Sequence, residues 1–252
     1  MVYMKRFFTY NFIVLCLLLG LTPSVFAATK NPGQVPILMF HYIRDYHNPR
    51  DPVGNNLSIS PKEFVKILEQ IKKLGYNTIT FKDIQSGTMP AKPIILTFDD
   101  GYEDFYSAAF GELQKRQMKA VAYIIVGAIG TPHYMNLEQI KTIAAYGIEI
   151  GGHTWTHPNL PTLSAAKQHI EIFNSKKYLE TALGQKIISF AYPSGKYNNL
   201  SINEVKHSGY LFAVTTHPGL AHFNYDYTLY RLRISPGVDV AKLLINTKTV
   251  LK

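Results

Sequence analysis

The sequence predicts a single α/β domain in which seven or eight parallel strands form a barrel. From residue 36 onward, helical stretches alternate with short apolar strands, and this alternation favours a parallel sheet. Gly75, Gly147, Gly184 and Gly209 each stand between a helical stretch and the next strand, where glycine suits the left-handed residue that closes a helix. At 252 residues the chain can bury one sizeable core, and no linker divides it beyond its N-terminal segment.

The N-terminal segment has the layout of a secretory signal peptide. A basic start precedes an apolar run at 12–21, and Val25 and Ala27 then stand at the positions that a signal peptidase reads, which predicts cleavage between Ala27 and Ala28. We expect residues 1–27 to be removed and residues 28–252 to form the mature domain. An uncleaved anchor is the alternative, although the apolar run is short for a bilayer. We therefore expect a secreted or periplasmic, envelope-associated protein with no stable membrane span after cleavage.

Cysteine content and charge add two exclusions. The only cysteine, Cys16, lies within the signal segment, so the mature chain has no disulfide. The net charge is +9, but the lysines are dispersed and no nucleic-acid-binding motif is present. We therefore expect no nucleic-acid partner. The oligomeric state is not specified by any feature of the sequence.

The elements follow one another in a regular order. Ser60 can cap the first helix, Pro61 fits its first position, and Glu63 can close a capping box. The segment 44–58, rich in Asn, Pro and Asp, is predicted to be an irregular loop on the functional face of the barrel. The predicted strands are residues 35–40, 76–80, 94–98, 121–126, 148–150, 186–190 and 210–214.

Residues 97–101 read Thr-Phe-Asp-Asp-Gly, directly at the end of the apolar strand 94–98. Such a run is typical of a strand buried on both faces. Consecutive strand residues point to opposite faces, so Asp99 and Asp100 are expected to divide the work between one metal ligand and one base. Which aspartate has which role stays open at this level, and a plain turn is the alternative.

Residues 152–157 read Gly-His-Thr-Trp-Thr-His and follow another short strand. His153 and His157 are spaced so that both imidazoles can bind one metal ion. A metal-assisted hydrolase needs ligands for its metal ion and a base for the attacking water. Two histidines and one carboxylate can serve as the ligands, and the second carboxylate can serve as the base. A pair of surface histidines and a non-haem iron oxygenase site are the alternatives. The spare aspartate and the secretion signal favour hydrolysis.

Together these two motifs resemble those of the polysaccharide deacetylases of carbohydrate esterase family 4, which carry the NodB-homology domain. Phe-Ala-Tyr-Pro-Ser-Gly at 190–195 follows them in the order typical of that family. The opening at 36–43 is similar to the rearranged branch that includes the poly-N-acetylglucosamine deacetylases of biofilm export systems. The resemblance covers roughly residues 36–236.

The resemblance implies a distorted (β/α) barrel that binds one divalent metal ion through Asp100, His153 and His157. Zinc suits these ligands, and iron, cobalt or nickel would also fit. It further implies that Asp99 is the general base and that His41 is the general acid for the leaving amine.

The resemblance also implies a substrate-binding set. The backbone N–H of Ser194 would help to hold the oxyanion, and the remaining expected contacts are Tyr192, Pro193 and Trp155. Trp155 and Tyr192 could stack on sugar rings, although core packing is the alternative for both.

One position departs from the family pattern. Many members have an arginine near the catalytic aspartate at the position of Ala191. Arg231 or Arg233 could supply a guanidinium group from a neighbouring strand end, and Arg231 is favoured. The alternative is that both arginines make surface ion pairs.

The expected function is therefore the hydrolysis of N-acetyl groups on N-acetylglucosamine units of a polysaccharide or oligomer. Poly-N-acetylglucosamine is favoured as substrate, with chitin oligomers or peptidoglycan as alternatives. A non-catalytic carbohydrate-binding protein on the same barrel and an O-acetyl esterase acting on xylan are the competing functions.

Overall fold

Seven short parallel strands close into a ring in the computed structural model, which describes residues 33–224 and 226–249. The predicted signal peptide lies outside these described residues. The ring order is β2, β12, β10, β9, β8, β7, β6 and back to β2. The strands in chain order are β1 (Gln34–Val35), β2 (Ile37–Phe40), β3 (Tyr42–Ile43), β4 (Ser58–Ile59), β5 (Asn77–Ile79), β6 (Pro93–Phe98), β7 (Val121–Ile124), β8 (Glu149–Gly152), β9 (Ser189–Ala191), β10 (Phe212–Pro218), β11 (Ala221–His222) and β12 (Leu229–Arg233).

The barrel is distorted where β5 joins it. β5 pairs with the first half of β6, and β7 pairs with the second half, while β2 occupies the other edge of β6. β5 therefore pairs with one ring strand only and does not complete an eighth position in the ring. The predicted distorted α/β barrel is confirmed.

Helices cover the outside of the ring. None of those in the described part of the chain combines the length and apolar character that a membrane crossing requires. They are α1 (Pro52–Leu57), α2 (Pro61–Lys73), α3 (Phe81–Gln85), α4 (Gly111–Lys115), α5 (Leu137–Tyr146), α6 (Ala165–His169), α7 (Ser175–Leu183), α8 (Asn199–His207) and α9 (Val240–Thr249). π-helical segments at Phe105–Phe110 and Ile170–Asn174 run directly into α4 and α7.

Local sequence signals account for the start of α2. The Ser60 hydroxyl accepts a hydrogen bond from the Glu63 N–H, as the predicted cap requires. The Glu63 side chain does not close a capping box, because it accepts a hydrogen bond from the backbone N–H of Gly237 instead. That part of the prediction is wrong, since a contact far along the chain competes for the carboxylate.

The four predicted helix-to-strand glycines all have left-handed backbone angles, with φ between 64° and 113°. Those junctions are therefore confirmed.

The predicted strand 35–40 is divided at Pro36, which has no backbone N–H to donate to a neighbouring strand. Its first part pairs with β11 and its second part enters the barrel.

The segment 44–58 is more regular than predicted. It contains α1, which Asp51 caps by accepting a hydrogen bond from the Gly54 N–H at 2.8 Å. The segment ends in β4, which pairs with β3. A short helix with little apolar periodicity was hidden by the Asn- and Pro-rich composition. α1 nevertheless lies against the cleft described below, as expected of this segment.

Side chains alternate between the inside of the ring and the helices outside it. Ile95 belongs to the apolar cluster inside the barrel, whereas Leu96 and Phe98 belong to the cluster under the helices. Two-residue periodicity therefore directs Thr97 and Asp99 inward, and their shared contact with buried Arg231 agrees with this.

Candidate metal and catalytic site

The predicted metal ligands meet at the carboxyl-terminal end of the barrel. Asp100 follows β6, and His153 and His157 follow β8, so parallel strands bring the two motifs to one end. The Nε2 atoms of His153 and His157 lie 3.2 Å and 3.6 Å from Oδ1 of Asp100. One ligand atom from each residue lies within 4.8 Å of the others. The structure thus brings all three residues into one cluster.

The imidazole of His153 is oriented by a second contact. Its Nδ1 lies 2.7 Å from the carbonyl oxygen of Ala191, at the end of β9. Because a carbonyl can only accept, Nδ1 carries the proton and Nε2 is the atom available to a metal ion. Ala191 therefore contributes to the site through its backbone.

The turn from His153 to His157 is held by side-chain acceptors. The hydroxyl of Thr154 accepts a hydrogen bond from the His157 N–H at 3.0 Å. Oε2 of Glu171 accepts hydrogen bonds from the backbone N–H groups of Trp155 and Thr156 at 2.9 Å and 2.8 Å. These bonds satisfy backbone groups that no strand or helix serves, so they fix the distance between the two histidines.

The donor set fits a divalent transition metal ion. One carboxylate oxygen and two imidazole nitrogens leave positions for water and substrate. Burial lowers the pKa of His157, which favours the neutral form that ligates metals.

Left-handed backbone angles at non-glycine residues gather around this cluster, at Asp100, Thr154, His157 and Ser194. Strain of this kind is characteristic of functional sites.

Asp99 is held by a buried arginine. The Nη1 and Nη2 atoms of Arg231 each donate to one carboxylate oxygen of Asp99 at 2.7 Å. Nη1 also donates to the hydroxyl of Thr97 at 3.0 Å, and Nε donates to the carbonyl of Thr215 at 2.8 Å. The Arg231 side chain is completely buried. This is a bidentate ion pair in the barrel interior in which every guanidinium nitrogen donates at least one hydrogen bond.

The arginine decides the charge state of Asp99. Burial alone would raise the pKa of this carboxyl group, but the guanidinium of Arg231 holds it below its ordinary value. Asp99 is therefore ionised at neutral pH, although only 3% of its side chain is exposed.

His41 directly follows β2 and faces the same carboxylate. Its Nε2 lies 3.9 Å from Oδ2 of Asp99, and 13% of the side chain is exposed. Burial lowers the pKa of His41, while the charges of Asp99 and Asp100 oppose this effect. The His41 imidazole is thus close to the carboxylates of Asp99 and Asp100 and is also partly exposed to solvent.

A cleft of about 680 Å³ gives access to this constellation. Its walls include Ser194 and Thr216 on one side and residues of α1, such as Val53, on another. The cleft is large enough for a small ligand or part of a polymer. Its lining contains both predicted histidine ligands, His41, Asp99 and Asp100.

The remaining predicted contacts are distributed differently. Tyr192 has no exposed surface, and its hydroxyl donates to the Tyr227 carbonyl. Its ring therefore cannot stack on a sugar, because it packs edge-on against Phe190 in the apolar cluster under the helices. Pro193 is also buried. Trp155 is partly exposed and lines a second cavity beside the cleft.

The two candidate arginines separate clearly. Arg231 makes the buried contact with Asp99, whereas Arg233 is an exposed residue on the lining of the cleft. The two arginines are two positions apart and therefore share a face of β12. Arg231 differs in being buried in the barrel, where bonds to Thr97 and Thr215 hold it. His217 is exposed and lies against Tyr230, with ring centroids 5.4 Å apart.

Sequence reasoning missed two supporting residues. The Thr97 hydroxyl donates a hydrogen bond to the Leu38 carbonyl and accepts one from Arg231. The sequence signal that could have identified Thr97 is its position as a polar residue inside an apolar strand. Glu171 binds the histidine turn from a helix 15 residues further on, and no local pattern marks it.

The geometry can be set beside known proteins. The family model for polysaccharide deacetylases matches residues 86–213. The protein YxkH of Bacillus subtilis, which is named as a polysaccharide deacetylase, is 35% identical over 222 residues, covering 86% of this chain and 77% of its own. A poly-β-1,6-N-acetyl-D-glucosamine N-deacetylase of Staphylococcus aureus is 26% identical over 200 residues, covering 71% of this chain and 69% of its own.

A solved structure agrees with these sequence matches. The deacetylase PplD of Streptococcus pyogenes, in complex with acetate, superposes with a TM-score of 0.78 at 33% identity. The match covers 86% of this chain and 99% of that structure. The predicted family is confirmed by these comparisons. The chain belongs to the polysaccharide deacetylase family and is a hydrolase of that class.

Proposed function

We propose that this protein is an exported, metal-dependent N-deacetylase that hydrolyses the N-acetyl groups of N-acetylglucosamine units in a polysaccharide. The observation that carries the proposal is the position of Asp99, an ionised carboxylate that directly precedes Asp100 in the chain and lies 3.9 Å from His41. A purely carbohydrate-binding protein would have no need for a buried, charge-compensated base beside a metal site.

In this proposal Asp100, His153 and His157 hold one divalent ion, with zinc favoured and iron, cobalt or nickel as alternatives. Such an ion, when bound, would lower the pKa of a water molecule and polarise the acetyl carbonyl. The carbonyl of Ala191 keeps His153 in the tautomer that this binding needs.

Asp99 would accept the proton of the attacking water. Both of its oxygens accept from Arg231, but a carboxylate oxygen has two lone pairs, so each oxygen retains one acceptor direction. Arg231 keeps the carboxylate ionised and fixes its plane. Arg231 is therefore proposed to act through Asp99, by positioning it and by setting its charge.

His41 would deliver the proton that the leaving amine needs. It reaches the cleft from the side of Asp99, so proton acceptance and proton donation can occur around one substrate. The backbone N–H of Ser194 is proposed to contribute to binding of the oxyanion, and the left-handed angle of this residue supports a specialised backbone position.

Poly-N-acetylglucosamine is the favoured substrate, because a relative of 26% identity is named for that activity. Chitin oligomers and peptidoglycan remain alternatives, and O-acetylated xylan is the ester alternative. We propose export by the signal peptide at 1–27 and a secreted or periplasmic location for the domain at 28–252.

Acetate release provides the test. Purified protein, stripped of metal and then reloaded, should release acetate from β-1,6- or β-1,4-linked N-acetylglucosamine oligomers only when metal is present. Asp99→Asn is the matched control and should bind metal without comparable turnover. Oligomer binding without acetate release from the reloaded parental protein would favour the carbohydrate-binding function. Release from acetylated xylan alone would favour the esterase.

A further inference from the structure

A second cavity opens on the other side of the metal-ligand cluster. It has a volume of about 400 Å³ and shares Asp100, Tyr102 and His157 with the cleft. The two spaces are therefore continuous around the ligands. The catalytic roles proposed above for Asp99, His41 and Ser194 use the cleft, and none of these residues lines the second cavity.

The walls of this cavity are aromatic. Tyr102, Tyr134 and Trp155 line it, and the ring centroids of Tyr102 and Tyr134 are 5.0 Å apart. Tyr42 stacks behind Tyr102 at 3.7 Å, and Tyr178 packs edge-on against Trp155 at 5.8 Å. The rings are thus supported from behind. Rigid aromatic rings offer large contact areas at a low entropic cost to binding.

Backbone hydrogen bonds form the cavity in advance of any ligand. The Gly127 N–H donates to the Trp155 carbonyl at 2.8 Å, and a Cβ atom at residue 127 would lie 2.7 Å from that oxygen. Glycine is therefore required for the close approach of the two loops. An antiparallel bridge joins Tyr102 to Tyr134, and the Met135 N–H donates to the Gly101 carbonyl at 3.0 Å.

The cavity is also suited to a neutral ligand. Apart from the metal ligands Asp100 and His157, its lining carries no ionisable group other than tyrosine. Thr131 and Thr156 add hydroxyl groups beside the rings. Apolar rings with a few hydroxyl groups match a sugar, which has C–H faces and a hydroxylated edge.

We propose that this cavity is a glycan subsite, which binds the sugar ring next to the N-acetylglucosamine unit that reacts in the cleft. The inference rests on the proposed function for the identity of the glycan. It implies that the protein recognises at least two consecutive sugar units, and that Tyr134 and Trp155 select oligomers over the monosaccharide.

The chain carries its own probe, because Trp155 is the only tryptophan in the sequence. The metal-loaded protein is mixed with a β-1,6-linked N-acetylglucosamine pentamer in a stopped-flow instrument, and tryptophan emission is followed before product accumulates. We expect a saturable change in emission with the pentamer and none with the monosaccharide. Tyr134→Ala should weaken pentamer binding about 2- to 10-fold, whereas Tyr134→Phe should restore it because stacking needs only the ring.

Tyr146→Ala is the matched control, since Tyr146 is an exposed tyrosine on α5 that packs against Phe110 outside both cavities. It should bind the pentamer like the parental protein. Unchanged emission with the pentamer, or pentamer binding by Tyr134→Ala as tight as the parental value, would overturn the subsite. Acetate is measured in the same samples. An emission change without acetate release would support the subsite and contradict the proposed activity. Acetate release with unchanged emission would support the proposed activity and contradict the subsite.

Discussion

Arg231 and Asp99 form a bidentate ion pair in the barrel interior, although 132 positions separate them in the sequence. β12 and β6 are not neighbours in the ring, because β2 lies between them. The long arginine side chain therefore reaches past β2, and Thr97 and Thr215 accept two further hydrogen bonds from it. The pair keeps a nearly fully buried carboxylate ionised at the lining of the cleft.

The first prediction concerns the stability of this pair. Arg231→Met should lower the free energy of unfolding by about 3–5 kcal/mol, since it leaves the Asp99 charge buried and unpaired. The double variant Arg231→Met with Asp99→Asn should recover part of that loss. Denaturant unfolding of the parental protein, the two single variants and the double variant measures the coupling. Additive losses in the double variant would mean that the two side chains do not depend on each other.

Much of the fold was predictable because its signals are local. A helix cap at Ser60, glycine at each helix end and apolar runs of strand length involve neighbouring residues, and physical chemistry determines them without the rest of the chain. The Glu63 contact with Gly237 and the helix α1 were not predictable in this way. Both depend on partners that only the folded chain supplies.

The candidate site follows the same division. The positions of the predicted metal ligands and of His41 follow from strand ends, because parallel strands gather such residues at one face. Side-chain periodicity could not separate Arg231 from Arg233, because residues two positions apart share a face of β12. Only the folded barrel shows that Arg231 is buried against Asp99 while Arg233 is exposed. Tyr192 failed as a stacking residue for a similar reason, since no motif states which way a ring turns.

The second prediction concerns the metal. Ala substitution of Asp100, His153 or His157 should abolish tight metal binding together with activity, because each removes one of three protein ligands. Metal content after dialysis, measured with acetate release, is the readout. His207→Ala is the control, since this exposed histidine bonds to the Asn203 carbonyl within α8 and lies outside the candidate site. Full metal content and parental acetate release in His153→Ala would refute the ligand assignment.

The third prediction separates the two aspartates. Asp99→Asn should retain its metal while turnover falls by roughly 10²–10⁴-fold, the usual effect of removing a general base. Asp100→Asn should lose metal affinity as well. Elemental analysis of both folded variants distinguishes the roles. If Asp99→Asn loses its metal and Asp100→Asn keeps it, the roles are reversed.

The fourth prediction concerns stability against pH and uses Asp104, which lies outside the catalytic cluster. Burial raises the pKa of this carboxyl group to about 6, and its Oδ1 is buried with no hydrogen-bond partner within the described residues. A raised folded-state pKa contributes stability that is complete below the unfolded-state value and is lost as pH rises. The parental protein should therefore lose at most about 3 kcal/mol, relative to Asp104→Asn, between pH ~4 and ~6. Thermal unfolding of both proteins across this range checks the sign, and parallel curves would show that Asp104 does not titrate as described.

The last prediction concerns His41. As general acid it must be protonated when the amine leaves, whereas Asp99 must be ionised to accept a proton, so activity should follow a bell-shaped pH profile. The limbs belong to the coupled site, because the two groups are 3.9 Å apart. Burial lowers the pKa of His41, so the alkaline limb should fall at lower pH than an exposed imidazole would give.

His41→Ala should therefore keep its metal, lose activity by roughly 10²–10⁴-fold and flatten the alkaline limb, while His207→Ala should keep the parental profile. The alternative is that His41 is a packing residue at the end of β2. In that case His41→Ala would lower the melting temperature but leave turnover per folded molecule and both limbs unchanged. Because His41 contacts Asp99 and also lines the cleft, we expect the catalytic outcome.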